Sequence, residues 1–395
     1  MAKPRPYAIL RTTSSAGQRG GLESMGDDPD EVAELKVDVD ELSEADVVRL
    51  QNEPTTEAMA PCMNIRLIAP IAEPAAEQAA AGVQAAPVAW GLGAVKAIES
   101  SRTGHGVVVA VLDTGIDRTH PAFDVPNLII EQKNFTGGAD NAPDGHGHGT
   151  HCAGTIFGRD VNGTRIGVAR GVGRALIGKV LDDSGAGTSN AIVEALQWAT
   201  GAGAHIISMS LGFDFTTSVA FYRDTMGLPE PAAVSQTLLD FTANLRLFDR
   251  AMQLLTVQGA FGTDALVIAA SGNESSRPQF RIAASLPSAA DSVLAVGATD
   301  RNGNIARFSN RLPKVCAPGV GILSAKRGGG LVEMNGTSMA TPHAAGIAAL
   351  HWEALGPLAS AERVRAAMIQ TARPQALAAS VLLDDMGSGL ITAPP

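Results

Sequence analysis

The sequence predicts an α/β fold, a mainly parallel sheet with helices on both faces, preceded by a small α+β domain. Beyond residue 87, short runs that are nearly continuous in β-branched and other apolar residues alternate with longer stretches of helical spacing. Strands that are apolar throughout belong to sheets covered on both faces, and strand–helix alternation makes such sheets parallel. Composition agrees: 45% hydrophobic, 18% charged and only 4% aromatic residues, with 43 glycines, suit tightly packed helix-on-sheet layers and disfavour an all-β architecture.

Residues 7–11 read as a short strand and 17–30 as a Gly/Asp-rich loop. Residues 34–39 alternate like a strand, 42–51 have helical spacing with Ser43 placed to cap the first turn, and 63–68 again read as a strand. Residues 1–73 thus form the small α+β domain. Residues 74–86 hold Ala, Glu, Gln and Pro without a packing pattern, which makes them a linker. Residues 87–395 form the large domain. Its strands are expected at 107–112, 175–181, 205–211, 265–270 and 292–296, and its helices at 189–200, 233–258 and 337–355. Chemistry in such a fold belongs beyond the carboxyl ends of the strands.

The net charge of −10 is concentrated between Glu23 and Glu53, where 12 acidic residues face two basic ones, Lys36 and Arg49. The remainder is near neutral and has no Lys/Arg cluster to neutralise phosphates, so nucleic acid is not an expected partner. No run of 18 apolar residues occurs and residues 1–17 show no apolar targeting segment, so no membrane association is expected. Three widely spaced cysteines, Cys62, Cys152 and Cys316, suit reduced thiols. Together these features predict a cytoplasmic protein.

Three segments carry chemistry. Asp113 follows the run of residues 107–112 and opens Asp113-Thr114-Gly115, where a turn aspartate and a functional carboxylate are both reasonable readings. Residues 146–155 gather His146, His148 and His151 among glycines ahead of a helical pattern. They fit a metal cluster, though without a carboxylate or cysteine at usual spacing; they also fit a surface turn, or a general base at a helix start. Ser338, in Gly336-Thr337-Ser338, stands at the first turn of a helix, where free N–H groups and the positive dipole end favour an oxyanion; simple N-capping is the plainer alternative. His343 reads as a core histidine. An alcohol needs a base near neutral pH, and that base needs a carboxylate to fix its tautomer; the three segments together supply the set.

The stretches DTGID at Asp113, HGTHCAGT at His148 and GTSMATPH at Gly336 closely resemble the three signature motifs of the subtilase family, in the order Asp, His, Ser. The resemblance implies a serine endopeptidase with Asp113, His148 and Ser338 as triad, His146 and His151 being neighbours. It places the oxyanion hole at Asn273, within SGN, and at Ser338 itself. It implies a groove that takes the peptide as an added strand between Gly185, Ala186, Gly187 on one edge and Ser210, Leu211, Gly212 on the other, with Ser210 to Gly212 and Ala269 to Gly272, including Ala270, Ser271 and Gly272, walling a primary pocket for apolar side chains.

Residues 34–68 resemble the inhibitor-type propeptide of many subtilases, which would make the chain's own N-terminal region an intramolecular inhibitor, cleaved within 74–86. No cofactor is required. Calcium accompanies many relatives, but Ala122 after His120 and Pro121, and the loop 157–165, depart from the strong-site pattern. The 213–271 interval looks extended by a helix. Asp182 and Asp183 are either a solvated acidic turn or a preference for basic residues upstream in the substrate. The alternatives are an aspartic protease built on Asp113 and Asp183, a zymogen-locked or catalytically silent peptide-binding protein, and a transpeptidase.

Overall fold

The computed structural model describes residues 4–13, 34–71, 87–141, 143–258 and 264–395. The expected loop at 17–30 and the linker at 74–86 lie outside the described residues.

The first unit pairs β1 (Arg5–Thr13) antiparallel with β2 (Glu34–Leu42) and β3 (Thr56–Pro61), with helix α1 (Glu44–Gln51) between the last two. Ser43 caps α1: its hydroxyl accepts from Asp46 N, and the Asp46 side chain accepts from Ser43 N, a capping box. The expected strand at 7–11 and helix at 42–51 are therefore present; β3 carries no clear alternation and was not foreseen. The chain then enters β4 (Asn64–Leu67), which leaves this sheet and pairs elsewhere.

After α2 (Trp90–Ala94) the large domain is laid on β5 (Val108–Asp113), β6 (Ile129–Asn134), α3 (His148–Phe157), β7 (Arg174–Lys179), β8 (Ala186–Thr188), α4 (Ser189–Gly201), β9 (Ile206–Met209), β10 (Leu211–Phe213), α5 (Phe215–Ala220), α6 (Glu230–Gln258), β11 (Leu266–Ala270), β12 (Leu294–Thr299), β13 (Val315–Pro318), the hairpin β14 (Ile322–Ala325) and β15 (Leu331–Met334), and α7 (Thr337–Leu355). Seven strands form one sheet in the order β13-β12-β11-β9-β5-β7-β6, every pair parallel. The five expected core strands are all in it; β6 and β13 are additional.

Alternation along β5 explains the two-faced core. Val109 and Val111 join the cluster containing Ile156 of α3 and Met339 and Leu350 of α7, whereas Ala110 and Leu112 join Ile192 and Leu196 of α4 and Phe248 of α6. Close packing of α7 on the connection between α3 and β7 uses a small residue: a Cβ on Gly346 would lie 2.5 Å from Val168 Cβ. Because β5 is laid first and later strands extend to either side of it, the crevice beyond its carboxyl end, at Asp113, is the topological switch point.

The long α6 supports the N-terminal sheet. Arg5 pairs with Asp240 at 2.9 Å and also meets Tyr222, Arg250 reaches Glu57, and Asn244 Nδ2 donates to Pro61 O at 2.9 Å. The helical extension expected between residues 212 and 272 thus has a visible contact role.

Candidate active site

Asp113 ends β5 and is fully buried. Its Oδ1 accepts from Thr114 N at 2.8 Å and faces His148 Nδ1, also at 2.8 Å. His148 is the first residue of α3 and has no exposed surface. The turn after Asp113 and the start of α3 meet through glycine: a Cβ on Gly149 would fall 2.2 Å from Gly115 O. Gly147, with φ +101°, has no side chain to cap α3. The buried Asp144 does so instead, taking bonds from His146 N, Gly147 N, Thr150 N and the hydroxyls of Thr114 and Thr150. Sequence reasoning missed Asp144; an aspartate four residues before a glycine-started helix was the available signal.

Burial alone would push the His148 pKa down. The adjacent Asp113 carboxylate, helped less by Cys152, outweighs it, and the imidazole stands well above its ordinary value. Asp113 thereby fixes Nδ1–H and stabilises imidazolium, while Nε2 is buried with no bonded partner. The other histidines of the cluster have different surroundings. His146 is exposed, its ring 6.3 Å from that of His148. His151 is buried and faces the carbonyls of Ile322 and Val332 in the β14–β15 hairpin; burial takes its pKa down to about 3, so it is neutral. His343 is likewise a buried core histidine bonded to Met339 O, depressed by burial to about 4. Among the described residues, the one group with metal-ligand proximity is Asp113, His148 and Cys152. Its carboxylate is already committed to the imidazole, and the Cys152 thiol is pushed up by burial.

Ser338 lies at the second position of α7, behind Gly336, among N–H groups that the helix leaves unpaired. Cys152 Sγ links the two helices, 3.8 Å from His148 Nδ1 and 3.4 Å from Ser338 O. Asn273 is oriented by Thr337, whose N–H and hydroxyl donate to its Oδ1 at 2.9 and 2.8 Å; its Nδ2 is thereby turned into the groove.

That groove holds the chain's own residues. β4 lies antiparallel between β10 and β8, with Leu67 opposite Leu211, Arg66 opposite Gly212 and Ala186, and Ile65 opposite Gly187. Leu67 N donates to Gly185 O at 2.8 Å. The two edges expected to take a peptide therefore take residues 64–67. Ser338 Oγ donates to Ile68 O at 2.8 Å and is 3.3 Å from Ser210 O. Asn273 Nδ2 donates to Ala69 O at 3.0 Å, one carbonyl further on. Beyond Pro70, Ile71 N donates to Asn335 O at 2.9 Å and Asn335 Nδ2 to Ile71 O at 3.0 Å.

Ile68 reaches towards Gly212: a Cβ there would contact its side chain at 3.4 Å. The adjoining cavity, about 740 Å³, is lined by Gly212 from the expected set and by Glu274, Ala283, Ala284 and Ser285, which sequence reasoning did not name. The expected wall residues Ala270 and Ser271 are instead buried and do not line it, and Gly272 N bonds to Thr337 Oγ1. Asp183 is an exposed carboxylate paired with Lys179 at 2.6 Å, and its Oδ1 also accepts from Gly145 N, so it shares no proton with Asp113.

The loop after α3 tests the calcium expectation. Arg159 donates to Phe157 O at 2.7 Å and Val172 O at 2.9 Å, and Arg165 to Ala97 O at 3.2 Å and Val168 O at 3.3 Å. Guanidinium groups thus already bond four backbone carbonyls around this loop, which adds to the departure from the strong-site pattern noted at Ala122 and 157–165.

Comparison with known proteins agrees with this geometry. The Subtilase family profile matches residues 104–389. The chain is 36% identical over 279 residues to M-protease of Shouchella clausii (strain KSM-K16), covering 69% of this chain and 62% of that protein. It is 39% identical over 268 residues to alkaline elastase YaB of Bacillus sp. (strain YaB), covering 67% and 59%. It is 36% identical over 291 residues to subtilisin DY of Bacillus licheniformis, covering 72% and 91%. The chain thus spans about three-fifths of the length of the first two. The profile match across the whole strand–helix scaffold, with the Asp, His and Ser segments in their family order, makes this chain a member of the Subtilase family.

Proposed function

We propose that the protein is a serine endopeptidase made as a self-inhibited precursor. The observation that carries this reading is Ser338 Oγ donating to the carbonyl of Ile68, a residue held as an added strand between two groove edges. In turnover, His148 Nε2 takes the Ser338 proton as Oγ bonds to the carbonyl carbon; Asp113 keeps Nδ1 protonated and steadies the imidazolium. The tetrahedral oxyanion is met by Ser338 N–H and Asn273 Nδ2. His148 then protonates the departing amine, and water, deprotonated by the same imidazole, releases the acyl group.

The docked segment is offset from that geometry. Asn273 is engaged by Ala69 O, while Ile68 O accepts the hydroxyl proton that attack would deliver to His148. A bound strand so placed blocks the groove without being consumed. Removal of the N-terminal region follows cleavage within 74–86, as the sequence suggests, or at Ile68–Ala69 once the Ile68 carbonyl replaces that of Ala69 at Asn273 with the strand pairing of 64–67 kept. Incubating the purified chain with casein, beside Ser338→Ala, tests the reading by intact mass and product release. Self-cleavage and casein hydrolysis stop in the variant; unchanged activity there would remove Ser338 from the mechanism.

A permanently locked peptide-binding protein is the second reading, favoured by the ion pairs that join Arg5 to Asp240 and Glu57 to Arg250. It predicts an intact chain and no casein hydrolysis in wild type.

A further inference from the structure

We propose that Asp214, together with α5 and α6, forms a subsite that selects a basic side chain two residues before the one whose carbonyl is attacked. The inference rests on the peptidase reading above, with the docked segment marking the path of a substrate. Counting back from Ile68, whose carbonyl meets Ser338, Leu67 is second and Arg66 third. Arg66 lies opposite Gly212, and its Nε is 2.9 Å from Asp214 Oδ2, two residues along the same edge.

The carboxylate is held ready for this contact. Thr217 N and Thr216 Oγ1 donate to Oδ1 at 2.9 and 3.0 Å, and Thr217 Oγ1 donates to Oδ2 at 2.6 Å. Partial burial would raise the carboxyl pKa, but these bonds and Arg66 outweigh it and hold it below its ordinary value. The apolar stem of a long basic side chain also has a wall: Arg66 lines the 740 Å³ cavity with Phe215, Leu238 and Phe241, all contributed by α5 and α6. Helix capping accounts for the threonine bonds of Asp214 but not for an arginine at this register. The acidic pair considered from sequence is otherwise engaged, Asp182 with its own turn and Asp183 with Lys179.

The Arg66 side chain is 61% exposed, so the contact discriminates modestly. The test uses the incubated full-length protein and three peptides, Arg-Leu-Phe, Ala-Leu-Phe and Glu-Leu-Phe p-nitroanilides, at low and high salt. For wild type kcat/KM falls in the order Arg, Ala, Glu, by about threefold per step at low ionic strength, and the steps shrink in 1 M NaCl. Asp214→Asn, which retains a capping oxygen, flattens the series; Asp224→Asn, a remote exposed carboxylate, does not. Asp214→Lys inverts it, and Arg66→Glu in the intact chain shortens the lag before activity. A flat wild-type series with all three peptides cleaved, or a series unchanged in Asp214→Asn, overturns the subsite. Absence of cleavage of every peptide, with casein also intact, overturns the peptidase reading beneath it.

Discussion

Truncating Ile68 measures how strongly the N-terminal region closes the groove. The side chain is 4% exposed against Gly212 and the cavity beyond it. Ile68→Ala removes three buried carbon groups, each worth about 0.8 kcal/mol, so docking weakens by about 2.4 kcal/mol, or about 50-fold. The main-chain bonds of 64–67 are untouched, and the side chain has no part in either hydrophobic face of the sheet. The assay is the progress curve of a chromogenic peptide with freshly purified full-length protein, wild type and Ile68→Ala side by side. Wild type shows a lag or a low initial rate; the variant starts at a rate at least tenfold higher and reaches the same final rate. Equal initial rates with unchanged thermal stability would refute the claim that this segment gates the groove.

Asn273→Ala removes a donor aimed into the groove and lowers kcat by about 10²–10³ with little change in KM, the loss seen for such a donor in a relative within this family; a loss confined to KM contradicts its role. The raised pKa of His148 sets the direction of pH effects. The base is neutral only above that pKa, so self-cleavage by the docked form accelerates as pH rises. The matching stabilisation is fully present below the unfolded value of about 6.5 and is lost as pH climbs through the folded one. Thermal scans from pH 6 to 10 of wild type and His148→Ala read this, and a parallel dependence in both contradicts it. With guanidinium groups in the 157–172 loop, EDTA leaves the melting temperature within about 2 °C, whereas Arg165→Ala lowers it by several degrees; a large EDTA effect alone contradicts the assignment.

Much of this was legible in the sequence because its signals are local. Continuous apolar runs located β5, β7, β9, β11 and β12, and Ser43 marked the start of α1. β6 escaped because its run Ile129–Asn134 turns polar after two isoleucines, lying at the sheet edge, and β13 because it is only four residues long, lies at the opposite edge and ends on Pro318. At the site, residue order gave Asp113, His148 and Ser338 but could not choose among three histidines without family resemblance. The structure separates them by environment: a carboxylate at His148, carbonyls at His151 and solvent at His146. What no local pattern held was long-range pairing. That residues 64–67 lie between β8 and β10, that Asp144 organises the α3 start, and that Asp214 meets Arg66 all depend on segments brought together by the fold.

Labelling by a fluorophosphonate, followed by peptide mass mapping, tests the central claim most directly. The account predicts one label per chain, on the peptide containing Ser338, forming slowly while residues 64–69 occupy the groove, faster in Ile68→Ala, and not at all in His148→Ala. A chain that hydrolyses casein yet takes no label at Ser338, or takes it equally in His148→Ala, would contradict the account.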